Sequence, residues 1–186
     1  MGNLLLSSCP GKKVRLTGPV RGRGAICRDL GLDLQRFRQI GIGAIVCCLD
    51  DEELSFLGAP WESYEREADS LGLDVIRLPM AEGFAPTSVE TADAAITSLV
   101  SDYTLQGVHV LVHCRGGVGR AGLIACIWML KLGLVWEAPR QAPFFMQKHL
   151  YKTLCALVDT IRMRRSLKAI ETAEQVHFLA RYIEYL

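Results

Sequence analysis

Apolar residues recur along this chain with two periods, and the two alternate. Residues 4–8 form a short apolar run closed by Cys9-Pro10-Gly11, which reads as a first strand. Residues 14–24 are polar, basic and glycine-rich, a loop or a sheet edge. Over residues 32–40, Leu32, Leu34, Phe37 and Ile40 fall at helical spacing, and the pattern stops at Gly41. Residues 44–49 are apolar and β-branched, a buried strand. A helix is predicted over 61–71, a strand over 74–78, a loop with Gly83 over 79–86, and a helix over 89–103 with Ala92, Ile96 and Leu99 on one face. Residues 108–112 form an alternating and then continuous apolar run, as in a buried strand, and a long apolar helix is predicted over 121–134. Near the end Leu150, Leu154, Leu157 and Ile161 make one stripe. It finishes in Arg162, Arg164 and Arg165, which suit a helix C-terminus, a recruiting basic patch being the other use open to them. A last helix is predicted over 172–185. Strands that alternate with helices predict an α/β sandwich with a mostly parallel sheet, in one domain.

Composition narrows this picture. The chain has 186 residues, no internal repeat and no dividing linker. A net charge of +1 argues against a nucleic-acid partner. No apolar run reaches membrane-spanning length, and residues 4–6 are too short for the core of a signal peptide. Gly2 invites a myristoylation reading, but Leu6 stands where the hydroxyl belongs and Ser7 comes one residue late. Seven cysteines, an odd number without metal-ligand spacing, point to a reducing compartment. The cytoplasm is therefore expected, with the nucleus open, for a monomer that needs no metal or other cofactor. The acids at Asp50, Asp51, Glu52 and Glu53 are read as charge at a helix N-terminus rather than as a metal site.

The chemistry gathers in residues 108–122. A buried strand ends at His113 and Cys114, a loop follows with Gly116, Gly117 and Gly119, and a helix begins near Arg120. Strand, glycine-rich turn and helix N-terminus make an anion site, because loop amides converge and the helix dipole favours negative charge. The glycines let the backbone turn its amides inward. Arg120 can fork onto two phosphate oxygens. Thiols set beside an arginine and a helix N-terminus ionise and react as thiolates. A thiolate in a phosphate cradle points to phosphoryl transfer onto sulfur.

His113-Cys114-x-x-Gly117-x-x-Arg120 resembles the signature loop of the protein tyrosine and dual-specificity phosphatases. Within these, the chain is most similar to the kinase-associated phosphatase group, which acts on cyclin-dependent kinases. The similarity includes Ser8-Cys9-Pro10-Gly11, Gly41-Ile42, the run from Leu78 to Gly83, and Ala169-Ile170-Glu171-Thr172 with Gln175. The resemblance implies that Cys114 attacks phosphorus. It implies that Arg115, Gly116, Gly117, Val118, Gly119 and Arg120 bind the phosphate, and that water then hydrolyses a phosphocysteine. His113 would orient the loop and tune the thiol rather than act as a base. The expected substrate is a phosphoprotein, a cyclin-dependent kinase among the candidates.

The sequence departs from the family in three places. The general acid of the family is normally an Asp, and here the matching position is Glu82, with Glu90 and Asp93 as fallbacks on a predicted helix. The residue after the arginine is usually Ser or Thr, and here it is Ala121. The segment 136–163 is longer than in the relatives, and Pro139 and Pro143 suggest an inserted loop before the Leu150 stripe. Gln175 resembles the glutamine that positions the hydrolytic water in some relatives, an exposed helix residue being the other reading. Cys48, at the end of a neighbouring strand, is a candidate resolving thiol for oxidised Cys114. Three readings stay open: a protein phosphatase, a phosphate-binding pseudophosphatase favoured by Glu82 and Ala121, and a phosphoinositide or small-phosphate phosphatase. The signature loop carries Arg115 but no lysine, so a strongly cationic pocket for polyphosphorylated heads is not expected.

Overall fold

In a computed structural model of the protein, four strands form one parallel sheet flanked by helices. The structure describes residues 1–135 and 143–186, and of 143–148 the backbone alone. The strands are β1 (Leu4–Ser8), β4 (Ile42–Cys47), β5 (Asp74–Arg77) and β6 (His109–Cys114), in the order β1-β6-β4-β5. The apolar run of β6 is continuous because β6 lies inside the sheet with a neighbour on either side. A separate two-stranded antiparallel sheet, β2 (Lys13–Val14) with β3 (Ile26–Cys27), brackets the basic segment expected to be loop or edge.

The α-helices among the described residues are α1 (Leu30–Gln39), α2 (Asp51–Phe56), α3 (Trp61–Ser70), α4 (Val89–Leu99), which runs on into a π-helical turn at Val100–Thr104, α5 (Arg120–Lys131), α6 (Pro143–Arg164) and α7 (Ala173–Tyr185). α1 packs with α3 and against β4, while α5 lies on β6 and β1 and meets α4, α6 and α7. Every residue from Arg120 to Leu130 is buried, which explains why α5 is apolar all round instead of amphipathic. One hydrophobic core joins the described strands and helices, from Cys9 to Ile183. No described helix is long and apolar enough to cross a membrane.

Two expectations fail in instructive ways. Helix α1 forms where the periodicity places it, but Leu32 and Ile40 are exposed, and the buried face holds Leu34 with Asp33. Asp33 can be buried because it accepts a hydrogen bond from the Gly11 N–H at 2.9 Å and pairs with Arg28 at 2.8 Å. Pro143 does not lie in a loop: it is the first residue of α6, where a missing N–H costs nothing and a fixed φ suits the helix. Trp136 and Pro139 fall outside the described residues. In the Leu150 stripe, Leu157 and Ile161 are buried, and Leu150 and Leu154 are half-buried against the core.

Candidate active site

The parallel register places the chemistry at one end of the sheet. Ser8 of β1 pairs with Cys114 of β6, and Cys47 of β4 pairs with His113. The carboxyl ends of three strands therefore meet at the thiol, where ligands bind in sheets of this kind. Beyond Cys114 the chain wraps through residues 115–119 and enters α5 at Arg120, with Gly119 as its N-cap.

The loop is held from both sides. Inside, the Gly117 N–H donates to Cys114 Sγ at 3.2 Å. Outside, its carbonyls are taken by cations. Lys12 Nζ donates to the Arg115 oxygen at 2.9 Å, and Arg165 donates to the Gly117 and Gly116 oxygens at 2.8 and 3.2 Å. Gly117 has φ +68, and a Cβ there would collide with the Ser7 carbonyl on β1. No other residue fits both the left-handed backbone and that approach.

Arg120 is buried, and its guanidinium reaches three acceptors. It forks onto both carboxylate oxygens of Glu53, with Nη2 to Oε1 at 3.0 Å, and donates to the Met80 oxygen at 2.7 Å. Burial works against its charge, but Glu53 outweighs burial and fixes the cation. Sequence reasoning missed Glu53. The acidic run does begin a helix, with Asp50 as the N-cap accepting from the Glu53 N–H at 2.8 Å, so that reading holds for Asp50. Glu53 does a second thing, aiming the arginine. The signal available was weak: a helical turn of acids directly after a buried strand that neighbours the signature strand.

His113 is fully buried, and its Nε2 lies 3.0 Å from the Tyr64 hydroxyl. Burial, with the nearby charges of Arg77, Arg120 and Arg28, lowers its pKa from 6.5 to about 3, so the ring is neutral. Tyr64 stacks on the His113 ring at 5.7 Å and Trp61 on Tyr64 at 5.8 Å, a ladder that locks the strand end below the thiol.

A family description, Swiss Army Knife protein, DSP-PTPase phosphatase domain, matches residues 23–179. The chain belongs to this DSP-PTPase phosphatase family. The phosphatase fold is also found in similar solved structures. Kinase associated phosphatase is 22% identical with a TM-score of 0.75, over 98% of this chain and 86% of that one. Tk-PTP in its active form is 21% identical with a TM-score of 0.65, over 100% and 95%. PTPMT1 is 13% identical with a TM-score of 0.64, over 98% and 90%. No curated protein matches by sequence.

Around the loop of this phosphatase domain lies a cavity of about 1000 Å³. Cys114, Arg115, Gly116, Val118, Gly119 and Arg120 all line it, as does Glu82. Glu82 is mostly exposed and pairs with Arg115 at 3.0 Å. The fallback acids are elsewhere. Asp93 accepts from Lys131 at 2.7 Å and from the Tyr182 hydroxyl at 2.6 Å, and Glu90 stands in the first turn of α4. Neither lines the cavity.

Gln175 is fully buried and both ends of its amide are engaged. Oε1 accepts from the Glu171 N–H at 2.8 Å, and Nε2 donates to the Phe84 oxygen at 3.4 Å. With the Thr172 hydroxyl, which donates to the Gly83 oxygen at 2.7 Å, Gln175 ties the start of α7 to the loop bearing Glu82. The exposed-helix reading is thereby corrected: the position is a brace. Glu171 and Gln175 both face the signature loop: the Glu171 carboxylate occupies the space a side chain on Gly119 would need, and Gln175 Nε2 lies 3.1 Å from the same point. The arginines do close a helix, Arg162 and Arg164 standing in the last turn of α6. Arg162 donates to the Ala169 oxygen at 3.1 Å and Arg165 to the signature loop, so both have structural partners.

The charge of the cavity overturns a further expectation. The signature loop has no lysine, but the segment around β2 and β3 brings Lys12, Lys13, Arg15, Arg21 and Arg23 to the same cavity, and Lys168 joins them. Glu82 and Glu171 are the acids facing them among the lining residues. The pocket is strongly cationic.

Proposed function

We propose that the protein is a cysteine-dependent phosphatase that hydrolyses phosphate monoesters of phosphoproteins through a phosphocysteine on Cys114. The observation that carries this reading is the loop itself: a sulfur at the strand end receives an inward amide, while cations hold the same loop's carbonyls outward. Inward amides and Arg120 would hold the three non-bridging phosphate oxygens and stabilise charge as it moves. Cys114 Sγ attacks phosphorus and the P–O bond to the substrate breaks. Glu82, on the loop that faces the cavity, leaves its ion pair with Arg115, takes a proton from solvent and hands it to the leaving oxygen. Water then attacks the phosphocysteine, the S–P bond breaks with its electron pair returning to sulfur, and inorganic phosphate departs. Similarity to kinase associated phosphatase along nearly the whole chain makes phosphorylated cyclin-dependent kinase the first protein substrate to try.

The test is Cys114→Ser. Turnover of an aryl phosphate should vanish while binding of a phosphate mimic such as tungstate remains, since the cradle is backbone and Arg120. Activity above trace in Cys114→Ser would remove the covalent step. A parent protein that binds the mimic but turns over no phosphate ester would be a pseudophosphatase, the reading that Ala121 favours.

A further inference from the structure

Cavity charge exceeds what one phosphate needs. The signature loop and Arg120 already provide for a single phosphate group, and Arg115 is neutralised by Glu82. Among the described residues six more cations stand around the mouth, Lys12, Lys13, Arg15, Arg21, Arg23 and Lys168, against the single further acid Glu171. They do not follow from a generally basic chain, because the net charge is only +1. Five of them come from residues 12–23, and no Asp or Glu precedes Asp29.

The backbone holds this stretch in a specific shape. Lys13 and Val14 pair with Cys27 and Ile26, and Val20 bridges to Arg23. Between Val20 and Arg23, Arg21 has φ 49 and Gly22 φ 72, the two left-handed residues of a tight hairpin turn. Arg15 is also left-handed, at φ 59, and its Nε donates to the Gly24 oxygen at 2.7 Å. Non-glycine residues adopt this conformation only when the surrounding structure requires it. Lys12 is tied directly to the signature loop through the Arg115 oxygen. Burial and the nearby Arg115 both disfavour its charge, a strain that a bound anion would relieve.

We propose that this hairpin wall is a second phosphate subsite, and that the preferred substrate is a phosphate monoester carrying a further phosphate on the same compact scaffold, as an inositol polyphosphate does. The inference rests on the reading of Cys114 as nucleophile and ranks phosphoproteins as its slower substrates. A compact scaffold is favoured over a peptide because the cations crowd one cavity whose floor is the signature loop, instead of spreading along a track. Exposed Leu16, Val20 and Phe56 line the same cavity and suit the hydrocarbon edge of a ring or a glycerol backbone.

The experiment compares kcat/KM for soluble inositol bisphosphate, inositol monophosphate, phosphatidylinositol bisphosphate in phosphatidylcholine vesicles, singly and doubly phosphorylated peptides, and an aryl phosphate. The bisphosphates should exceed the monophosphate at least about tenfold, and the ratio should shrink as salt rises. The triple variant Lys13→Ala, Arg15→Ala, Arg23→Ala should lower that ratio about tenfold. Preference for the soluble compound identifies a free inositol phosphate as the source, and preference for the vesicle a lipid headgroup; both sustain the subsite. A ratio unchanged in the triple variant, or a doubly phosphorylated peptide preferred to every inositol phosphate, overturns it. Binding separates this from the hydrolase reading. Calorimetry of inositol bisphosphate on Cys114→Ser should show binding that the triple substitution weakens, and this result stands even if the parent turns over nothing. No binding by Cys114→Ser sinks the subsite, whatever the aryl phosphate turnover.

Discussion

The neutral, buried His113 gives the protein an acid sensitivity whose size can be worked out. Burial holds the folded ring at about 3, while an unfolded histidine titrates near 6.5. Between those values the unfolded chain binds a proton that the folded chain refuses, so stability rises with pH. The contribution is complete above about pH 6.5 and is lost progressively as the pH falls toward 3. From pH 7.5 to 5.0 the unfolded ring gains about 1.5 units of protonation free energy and the folded ring gains almost none. At 1.36 kcal/mol per unit that is about 2 kcal/mol. Most carboxylates stay ionised across this window, which keeps the histidine effect separable. Urea unfolding should be measured at both pH values for the parent and for His113→Gln. The parent should lose about 2 kcal/mol more than the variant over the interval, whatever their difference at pH 7.5. Should the variant not fold, ring NMR signals of the parent provide the check: His113 should stay neutral down to about pH 4. Equal losses in parent and variant, or a ring that titrates above pH 5.5, would refute the assignment of burial as the controlling effect.

Three further outcomes are expected. Glu82→Gln should lower hydrolysis of phosphothreonine peptides by roughly 10²-fold and affect an activated aryl phosphate far less, because a general acid matters in proportion to leaving-group basicity; equal losses on both would take the acid role from Glu82. Ala121→Ser should add a donor to the leaving Cys114 sulfur, beside the Gly117 amide that already reaches it. At about 1.5–3 kcal/mol it should speed phosphocysteine hydrolysis roughly 10–150-fold and shrink a pre-steady-state burst in the parent. A parent with no burst and a variant no faster would show that the donor's place is already filled. Mild peroxide should join Cys48 to Cys114, since Cys48 follows Cys47, the residue one step before the level of Cys114 in the sheet. Burial pushes the Cys48 thiol well up, so the link should form slowly, and peptide mapping that finds Cys114 joined to Cys9 instead would count against it.

What the sequence made legible was what lies close together along the chain. Cys114 and Arg120 stand in one strand-loop-helix unit, and their spacing alone places them. The parallel sheet followed from alternating periods because β4 and β6 are mostly buried and carry continuous apolar runs at 44–47 and 110–112. Long-range partners were not legible. Glu53 sits 67 residues from Arg120, and its acidic neighbours offered a sufficient local explanation as helix charge. The cavity's charge was misjudged for the same reason: five of the six cations added to the signature loop's own belong to residues 12–23, about a hundred positions before the loop they face. An acid-free start to a nearly neutral chain was the available clue. Leu32 and Ile40 show a different limit. Helical spacing marks a face, but with Asp33 anchored inward by Arg28 and Gly11 the buried side is that of Leu34, and Leu32 and Ile40 meet water.

The contacts of Arg165 and Lys12 reach further than their place outside the cradle implies. A peptide group is a rigid dipole, so holding its carbonyl end settles where the adjoining N–H points. In water, dipoles around a phosphate must swing each time its charge is redistributed, and that swing is a large part of the barrier in solution. Here the swing is prevented in advance. Arg165, at the end of α6 and 48 residues from Gly117, and Lys12, 103 residues before Arg115, keep the loop's dipoles aligned while the site is empty. Solvent reorganisation is thus replaced by tertiary structure, and part of the cradle's electrostatics belongs to residues far from the signature loop in the chain.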